Sequence, residues 1–256
     1  MAAYEWLVVV YFSALIAAAW IVPVPMSRRL QATSLGAAPL VLVVVSRAVA
    51  TDVRWWLPHF FLLAGYWMPG LLVPVTHGRR FEAWLVRSDA RLRPSLPAVP
   101  AWAAPVVELA YLLCYPLVPV SFAIVWMNGT AADLERFWFA VLMAGYCCYV
   151  TLPWLVSRPP RLLHPDGTRR RTLGTINTQV LARASHEFNT FPSGHVAVTA
   201  AAAAEVATIS VRDGALLGIV VVAICVGAAS GRYHYVVDVL FGLGIAAAAH
   251  AAAAAL

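Results

Sequence analysis

The sequence predicts an all-α fold, a polytopic bundle of about eight transmembrane helices. Hydrophobic residues make up 62% of the 256 residues and charged residues only 12%, against about 45–50% and about 25% in soluble domains. The apolar residues form eight runs close to the length of about 20 residues that a bilayer-spanning helix needs. Tight polar links, such as SVRDG at 210–214, predict antiparallel neighbours.

The eight predicted spans are not equally clear, and the second is the weakest because it is short and ends at Arg47. Long polar segments at 76–102 and 157–191 interrupt the apolar pattern. We expect one continuous membrane domain. Its N-terminal part, 1–102, holds transmembrane helices and an interfacial amphipathic segment, and its C-terminal part, 103–256, forms the helix bundle that carries the candidate catalytic residues. The spans are predicted at 5–25, 33–50, 55–75, 103–126, 137–156, 192–211, 213–230 and 236–255.

The segment 76–102 opens with an amphipathic stretch. In one interpretation its apolar side lies on the membrane while its arginines face lipid phosphates. A solvated linker helix explains the same pattern equally well, so both interpretations stay open. The side chains that would face the membrane are Phe81, Trp84, Leu85 and Leu92.

The positive charge of the chain comes from arginine alone, since its eighteen basic residues are all Arg and its net charge is +6. The planar guanidinium matches phosphate oxygens in a way that Lys does not. Fourteen of the arginines fall in loops on one predicted face and four on the other. Because they lie between spans rather than on one soluble surface, nucleic acid is not an expected partner. The oligomeric state is left open.

Three polar groups interrupt the C-terminal spans: SRPPR at 157–161, FPSGH at 191–195 and SGRYHYVVD at 230–238. Each lies at the same end of consecutive antiparallel spans. We therefore expect the three loops to meet at one face of the membrane, although the chain separates them widely.

The residues in these loops fit phosphoryl transfer. His234 and Asp238 are four residues apart and share one face of a helix. A carboxylate bonded to one ring nitrogen fixes the tautomer and makes the other nitrogen a better nucleophile. His195 supplies a second imidazole, which can donate a proton to a leaving oxygen.

The same loops provide donors for a multiply charged oxyanion. Arg158, Arg161 and Arg232 offer bidentate hydrogen bonds. Ser193 and Gly194 precede a helix, where backbone N–H groups and the positive helix end face an anion, and glycine allows a close approach. No metal ion or other cofactor is expected, because these groups supply the positive charge.

The chain resembles the type-2 phosphatidic acid phosphatase superfamily over roughly 137–245. The second motif of that superfamily, Pro-Ser-Gly-His, is intact at 192–195. The end of its third motif matches at His234 and Asp238, but Ala228 stands at the expected Arg position. Arg232 looks like the substitute, as in a branch of the superfamily with the pattern RYHYxxD.

The first motif departs further from the superfamily pattern of Lys, six residues, Arg-Pro. Arg158 and Pro159 match its end, but Thr151 occupies the Lys position. Arg161 is a rival of Arg158 for the same role. These departures leave the first motif's role and the substrate open.

The resemblance implies a membrane lipid phosphatase that works through a phosphohistidine. His234 would be the nucleophile, Asp238 the residue that orients it, and His195 the acid that later activates water. The residues that would hold the phosphate are Arg158, Arg161, Arg232, Ser193 and Gly194. Phosphatidate, phosphatidylglycerol phosphate, an isoprenoid pyrophosphate and a sphingolipid precursor all fit as substrates.

Two other functions are compatible with the sequence. A lipid phosphotransferase would pass the same phosphoryl group to an alcohol such as inositol or another lipid. A non-enzymatic transporter or scaffold would keep only a degenerate form of the core.

We expect the cell (inner) membrane as the location. The resemblance favours the extracytoplasmic face for the site, whereas the arginine distribution favours the cytoplasmic face.

Overall fold

The computed structural model describes residues 1–48, 51–74, 78–96, 99–100, 102–163, 188 and 191–256, without the side chains of 51, 104 and 108. Most of the polar segment 157–191 thus lies outside the described residues. Every regular element in the described part is helical, which confirms the all-α prediction. The helices are α1 Ala3–Ile21, α2 Met26–Ser46, α3 Thr51–Leu71, α4 Arg80–Leu92, α5 Ala104–Leu112, α6 Cys114–Asn128, α7 Ala131–Tyr149, α8 Pro160–Leu163, α9 Gly194–Ile209, α10 Val211–Ser230 and α11 Val236–Ala253.

Four of the described helices, α1, α2, α10 and α11, are long and apolar enough to cross a membrane. The pair α5 and α6 adds a fifth if it forms one bent span, and α9 is apolar but only 16 residues long. The helices therefore indicate a membrane protein. The predicted total of about eight spans is not confirmed.

The predicted fourth span, 103–126, is broken into two helices, α5 and α6, that are bent by 55°. Pro116 explains the break, because proline lacks an N–H and its ring clashes with the carbonyl group four residues earlier. That carbonyl belongs to Leu112, where α5 ends. The new helix starts at Cys114 and so accommodates Pro116 in its first turn.

Helix α9 occupies the centre of the C-terminal bundle, where it packs against α6, α7, α10 and α11. Its sequence, GHVAVTAAAAAEVATI, is dominated by alanine, and ten of its 16 residues are buried. Small side chains let helix backbones approach closely within a membrane. As a result, the polar residues that precede α9 are surrounded by the ends of neighbouring helices.

Helix α11 passes close to the start of α9 at Gly242. A Cβ on Gly242 would lie 2.8 Å from the carbonyl oxygen of Ser193, whereas a Cβ on Gly244 would meet no atom within 4 Å. We expect Gly242→Ala to lower the thermal unfolding midpoint, because an overpacked methyl group costs about 1–3 kcal/mol. Gly244→Ala should keep or raise it, since alanine favours helix by about 0.5–1 kcal/mol. Equal shifts for the two purified variants in detergent would argue against this packing.

Helix α4 packs against α11 and buries its apolar side in the protein. Its buried residues are Glu82, Leu85 and Asp89, which lie on one helix face at the spacing i, i+3 and i+7. Leu85 is fully buried, so the prediction that it lies on the membrane is wrong, and α4 is not a solvated linker either. Trp84 stays exposed, and its contact with lipid remains a prediction. The residues that surround Leu85 include Phe191, Tyr235 and Val237.

Candidate active site

His234 and Asp238 lie at the junction between α10 and α11. The backbone N–H of His234 donates to the carbonyl oxygen of Ala228 at 3.0 Å, which fixes the turn that carries the imidazole. The Nδ1 atom of His234 lies 3.4 Å from Oδ2 of Asp238, and the same oxygen accepts the backbone N–H of Tyr235 at 3.1 Å. Both side chains are buried. The carboxylate therefore faces one ring nitrogen and leaves Nε2 as the nitrogen that can attack.

The second imidazole, His195, lies beside the first. The ring centroids of His195 and His234 are 6.0 Å apart, and the rings are nearly perpendicular at 86°. A backbone hydrogen bond of 3.0 Å, from the N–H of Ser193 to the carbonyl oxygen of Asp238, ties the start of α9 to the first turn of α11. One phosphoryl group between the rings could contact both, because catalytic hydrogen bonds span about 2.6–3.2 Å.

Ser193 occupies the N-cap position of α9, but its side chain makes no capping hydrogen bond. The Ser193 side chain is fully buried, and its Oγ has no hydrogen-bond partner in the described part of the chain. An unmade hydrogen bond of this kind costs about 1–3 kcal/mol. The hydroxyl is thus available for an acceptor in the site. The neighbouring Gly194 has no room for a side chain, because a Cβ there would collide with the ring of Tyr149.

Arg161 is the arginine that the described contacts connect to the histidine pair. Its guanidinium carbon lies 4.9 Å from the ring centroid of Tyr233, and its Nη1 is buried without a partner among the described residues. Tyr233 stacks on Tyr111 at 4.4 Å, and the ring of Tyr111 lies 5.7 Å from that of His195. A buried guanidinium N–H without a partner among the described residues, connected to His195 through two stacked tyrosine rings, is a suitable donor for an anion.

Arg158 makes a bidentate ion pair with Glu82 of α4. Its Nε and Nη2 atoms donate to the two carboxylate oxygens at 3.0 and 2.9 Å, and its backbone N–H donates to Oε2 at 3.0 Å. The hydrogen bond from Arg158 holds the pKa of the Glu82 carboxyl below its usual value. Any contact of Arg158 with a phosphate competes with this pair, and its predicted role stays a prediction.

Arg232 has a left-handed backbone conformation, with φ of 56°. It follows the last turn of α10, and its N–H donates to the carbonyl oxygen of Ala229 at 3.2 Å. This conformation costs a residue other than glycine about 1–2 kcal/mol, and such strain tends to occur at functional sites. Its predicted contact with phosphate also remains a prediction.

Sequence reasoning missed the three tyrosines that surround His195. The ring centroids of Tyr66, Tyr111 and Tyr115 lie 6.4, 5.7 and 5.6 Å from that of His195. An aromatic residue in an apolar helix gives no local sign of which neighbour it will contact. The spacing of four between Tyr111 and Tyr115 was the one available signal, since it places both on one face of the predicted span 103–126, although the structure divides them between α5 and α6.

The Glu82–Arg158 pair predicts a pH-dependent contribution to stability. Because folding lowers the pKa of Glu82, its stabilisation is present above the ordinary carboxyl pKa of about 4.3. It is lost as the pH falls through the folded value. We expect Glu82→Gln to lower the free energy of unfolding by about 1 kcal/mol at pH 7, a modest value because the Arg158 side chain is partly in water. The difference should shrink towards pH 3 in denaturant titrations, and a constant difference would rule out the charged pair as its source.

Comparison with protein-family models finds the PAP2 superfamily over residues 136–256. No curated protein and no solved structure matches the chain significantly. The matched region contains all three polar loops and thus both histidines and Asp238. Proteins of this superfamily are generally phosphatases, and the match indicates phosphatase or phosphotransferase activity on phosphate esters. Residues 136–256 thus match the PAP2 superfamily, that of the type-2 phosphatidic acid phosphatases, and this match confirms the resemblance that the motifs predicted.

Proposed function

We propose that this protein is a membrane lipid phosphatase that hydrolyses a lipid phosphate or pyrophosphate through a phosphohistidine on His234. One observation carries the proposal: two imidazoles lie with their centroids 6.0 Å apart, and a buried carboxylate faces Nδ1 of one of them. A nucleophile, the residue that orients it and a proton donor are thus available within one cluster.

In the first step, Nε2 of His234 attacks phosphorus. The N–P bond forms as the bond between phosphorus and the leaving oxygen breaks. Asp238 stabilises the positive charge that develops on the ring, through the hydrogen bond to Nδ1–H. The negative charge of the bound phosphate favours the imidazolium form of His195. His195 then donates its proton to the leaving oxygen, so that the dephosphorylated lipid departs as an alcohol or a lipid monophosphate.

In the second step, His195 is neutral and accepts a proton from a water molecule. The water oxygen attacks phosphorus, the N–P bond breaks, and inorganic phosphate leaves. His234 is then neutral again and His195 is protonated. One residue thus serves as acid in the first step and as base in the second, as microscopic reversibility requires.

Donors around the phosphoryl oxygens stabilise the charge that develops in both steps. Arg161 Nη1 and Ser193 Oγ are buried and have no hydrogen-bond partner in the described residues. Gly194 begins α9, a helix of 16 residues whose positive N-terminal end adds to the positive potential around the phosphoryl oxygens. Arg158 and Arg232 belong to the same proposed set, Arg158 once its pair with Glu82 opens.

A lipid substrate fits the position of these groups in the fold. His195 lies in the first turn of α9, and Asp238 lies in the first turn of α11. The ends of apolar helices lie near the membrane surface, where a lipid carries its phosphate. Beyond its first turn, α11 exposes Leu240 and Phe241, so acyl or isoprenoid chains could lie along the helix while the phosphate reaches the site.

The test is a phosphate-release assay with purified protein in detergent micelles. Substrates would be phosphatidate, phosphatidylglycerol phosphate, an isoprenoid pyrophosphate and a water-soluble phosphate ester, each with and without an alcohol acceptor. We expect free phosphate from at least one lipid, and inhibition by vanadate, which mimics the transition state. Release of phosphate only as an exchanged ester would assign a phosphotransferase instead. If the protein neither releases nor exchanges phosphate, a non-enzymatic role would be favoured.

We further propose that the site faces the extracytoplasmic side of the cell membrane. Ser95 is exposed and follows α4 on the side of the site, so it provides a reporter position. A single cysteine introduced there, in a variant without the four natural cysteines, should react with an impermeant maleimide in intact cells. Reaction only after permeabilisation would place the site on the cytoplasmic side.

A further inference from the structure

Asp89 of α4 and Arg93, the residue that directly follows α4, connect the ends of the helices on either side of His234. Oδ1 of Asp89 accepts the backbone N–H of Val236 at 2.9 Å, and its Oδ2 accepts Nε of Arg93 at 2.8 Å. Nη1 of Arg93 donates to the carbonyl oxygen of Ala229 at 3.0 Å. Asp89 is buried. A continuous chain of hydrogen bonds therefore runs from the start of α11 to the last turn of α10.

These contacts satisfy backbone groups that the helices cannot satisfy themselves. The N–H of Val236 is among the first of α11 and the carbonyl of Ala229 is among the last of α10, and such groups lack partners within their own helices. The Ala229 carbonyl oxygen also accepts the backbone N–H of Arg232, so Arg93 is its second donor. The charges also have the favourable sign, with a carboxylate at a helix N-terminus and a guanidinium at a C-terminus. Asp89 and Arg93 thus act as caps supplied by the C-terminal end of α4 and the residue that follows it.

The turn between these two caps carries the nucleophile. Only six residues, from Ser230 to Tyr235, separate Ala229 from Val236, and His234 lies among them. Asp238, which faces the His234 ring, lies in the first turn of α11. Fixing both ends of so short a segment limits how far the imidazole can move away from its carboxylate and from His195.

Helix α4 is itself anchored to the other parts of the site. Its fully buried Leu85 packs in one cluster with Phe191 and Tyr235, next to the two histidine-bearing loops. Glu82 holds Arg158, which precedes Arg161 in the first polar loop. One face of α4 therefore contacts all three loops, although α4 lies outside the region 136–256 that the superfamily match covers.

We propose that Asp89 and Arg93 are positioning residues for His234, and that α4 is a clamp that holds the turn in its reactive geometry. This inference rests on the proposed phosphatase function. The clamp acts through the backbone of residues 229 and 236 and not through contact with the phosphoryl group. Its loss should therefore lower the rate of the chemical step and leave substrate binding largely intact.

The first experiment compares the kinetics of Asp89→Asn and Arg93→Gln with Arg91→Gln, an exposed arginine on the same helix. We expect kcat to fall about 10- to 100-fold in the two clamp variants, the size of effect that a misplacement of about 1 Å causes. KM should stay within about twofold, and Arg91→Gln should match the unmodified protein. Arg93→Lys, which keeps one donor for Ala229, should recover part of kcat. Unchanged kcat in folded Asp89→Asn and Arg93→Gln would overturn the inference.

The second experiment does not depend on activity. Diethyl pyrocarbonate modifies accessible neutral imidazoles, and His234 is only 4% exposed. Peptide mass spectrometry should show faster modification of His234 in Asp89→Asn and Arg93→Gln than in Arg91→Gln, with modification of His250 unchanged. If the unmodified protein releases no phosphate, the proposed function is wrong. The labelling experiment still tests whether Asp89 and Arg93 hold the turn in place. Equal labelling of His234 in all variants would refute the clamp even if the phosphatase activity is real.

Discussion

His234→Ala is expected to reduce phosphate release by at least about 10³-fold, because the variant has no nitrogen to form the covalent intermediate. The loss should appear in kcat for every substrate, since no leaving group can compensate for a missing nucleophile. The measurement is steady-state phosphate release with the best substrate of the lipid panel, on protein whose thermal unfolding matches that of the unmodified chain.

The matched control for this variant is His250→Gln. His250 belongs to α11 and its Nδ1 lies 2.7 Å from Oε1 of Glu205. Glu205 is ten residues along α9 from His195, or about 15 Å at 1.5 Å per residue. This control should keep at least half of the activity. If His234→Ala retained activity close to that of the control, the nucleophile would have to be another residue.

His195→Ala is expected to lower kcat/KM, which reports the first phosphoryl transfer and not the later hydrolysis of the intermediate, by about 10²- to 10⁴-fold for a lipid phosphate, the usual contribution of a positioned acid. The loss should be at least about tenfold smaller for p-nitrophenyl phosphate, because its leaving phenolate is a weak base and needs protonation less. Parallel assays of the two substrates give this ratio directly.

The dependence on the leaving group separates His195 from a residue that only supports the fold. A structural defect would lower the rate for both substrates by the same factor. Equal losses for the lipid and for p-nitrophenyl phosphate would therefore remove His195 from the role of proton donor. It would remain a neighbour of the nucleophile within the group of tyrosines.

The grouping of the two histidines and Asp238 could be predicted because it depends on local and simple features. The interval of four between His234 and Asp238 places them on one helix face. The order of antiparallel spans then brings His195 to the same end of the bundle. Hydropathy predicted where helices lie, but it detects the apolar part of a helix and not its full length. The second span was therefore predicted to start at 33, whereas the helix α2 begins at Met26.

The partners of Arg158 and Arg161 could not be predicted in the same way. The two arginines are three residues apart, yet one pairs with Glu82 and the other lies over Tyr233. Glu82 is 76 residues away from Arg158 in the chain, and the sequence around either residue does not indicate a partner so far away. A signal was nevertheless present in α4, since Glu82 shares a face with Leu85. A buried carboxylate on an apolar face requires a charged or hydrogen-bonded partner.

The most direct test of a phosphoryl group held between His195 and His234 is capture of the covalent intermediate. Purified protein would be mixed with a lipid substrate labelled in its phosphate, quenched in alkali within milliseconds and digested for peptide mass spectrometry. We predict an acid-labile, alkali-stable phosphate on His234, which accumulates further in His195→Ala when p-nitrophenyl phosphate is the donor. Label on a different residue, or complete turnover without any labelled protein, would contradict the mechanism.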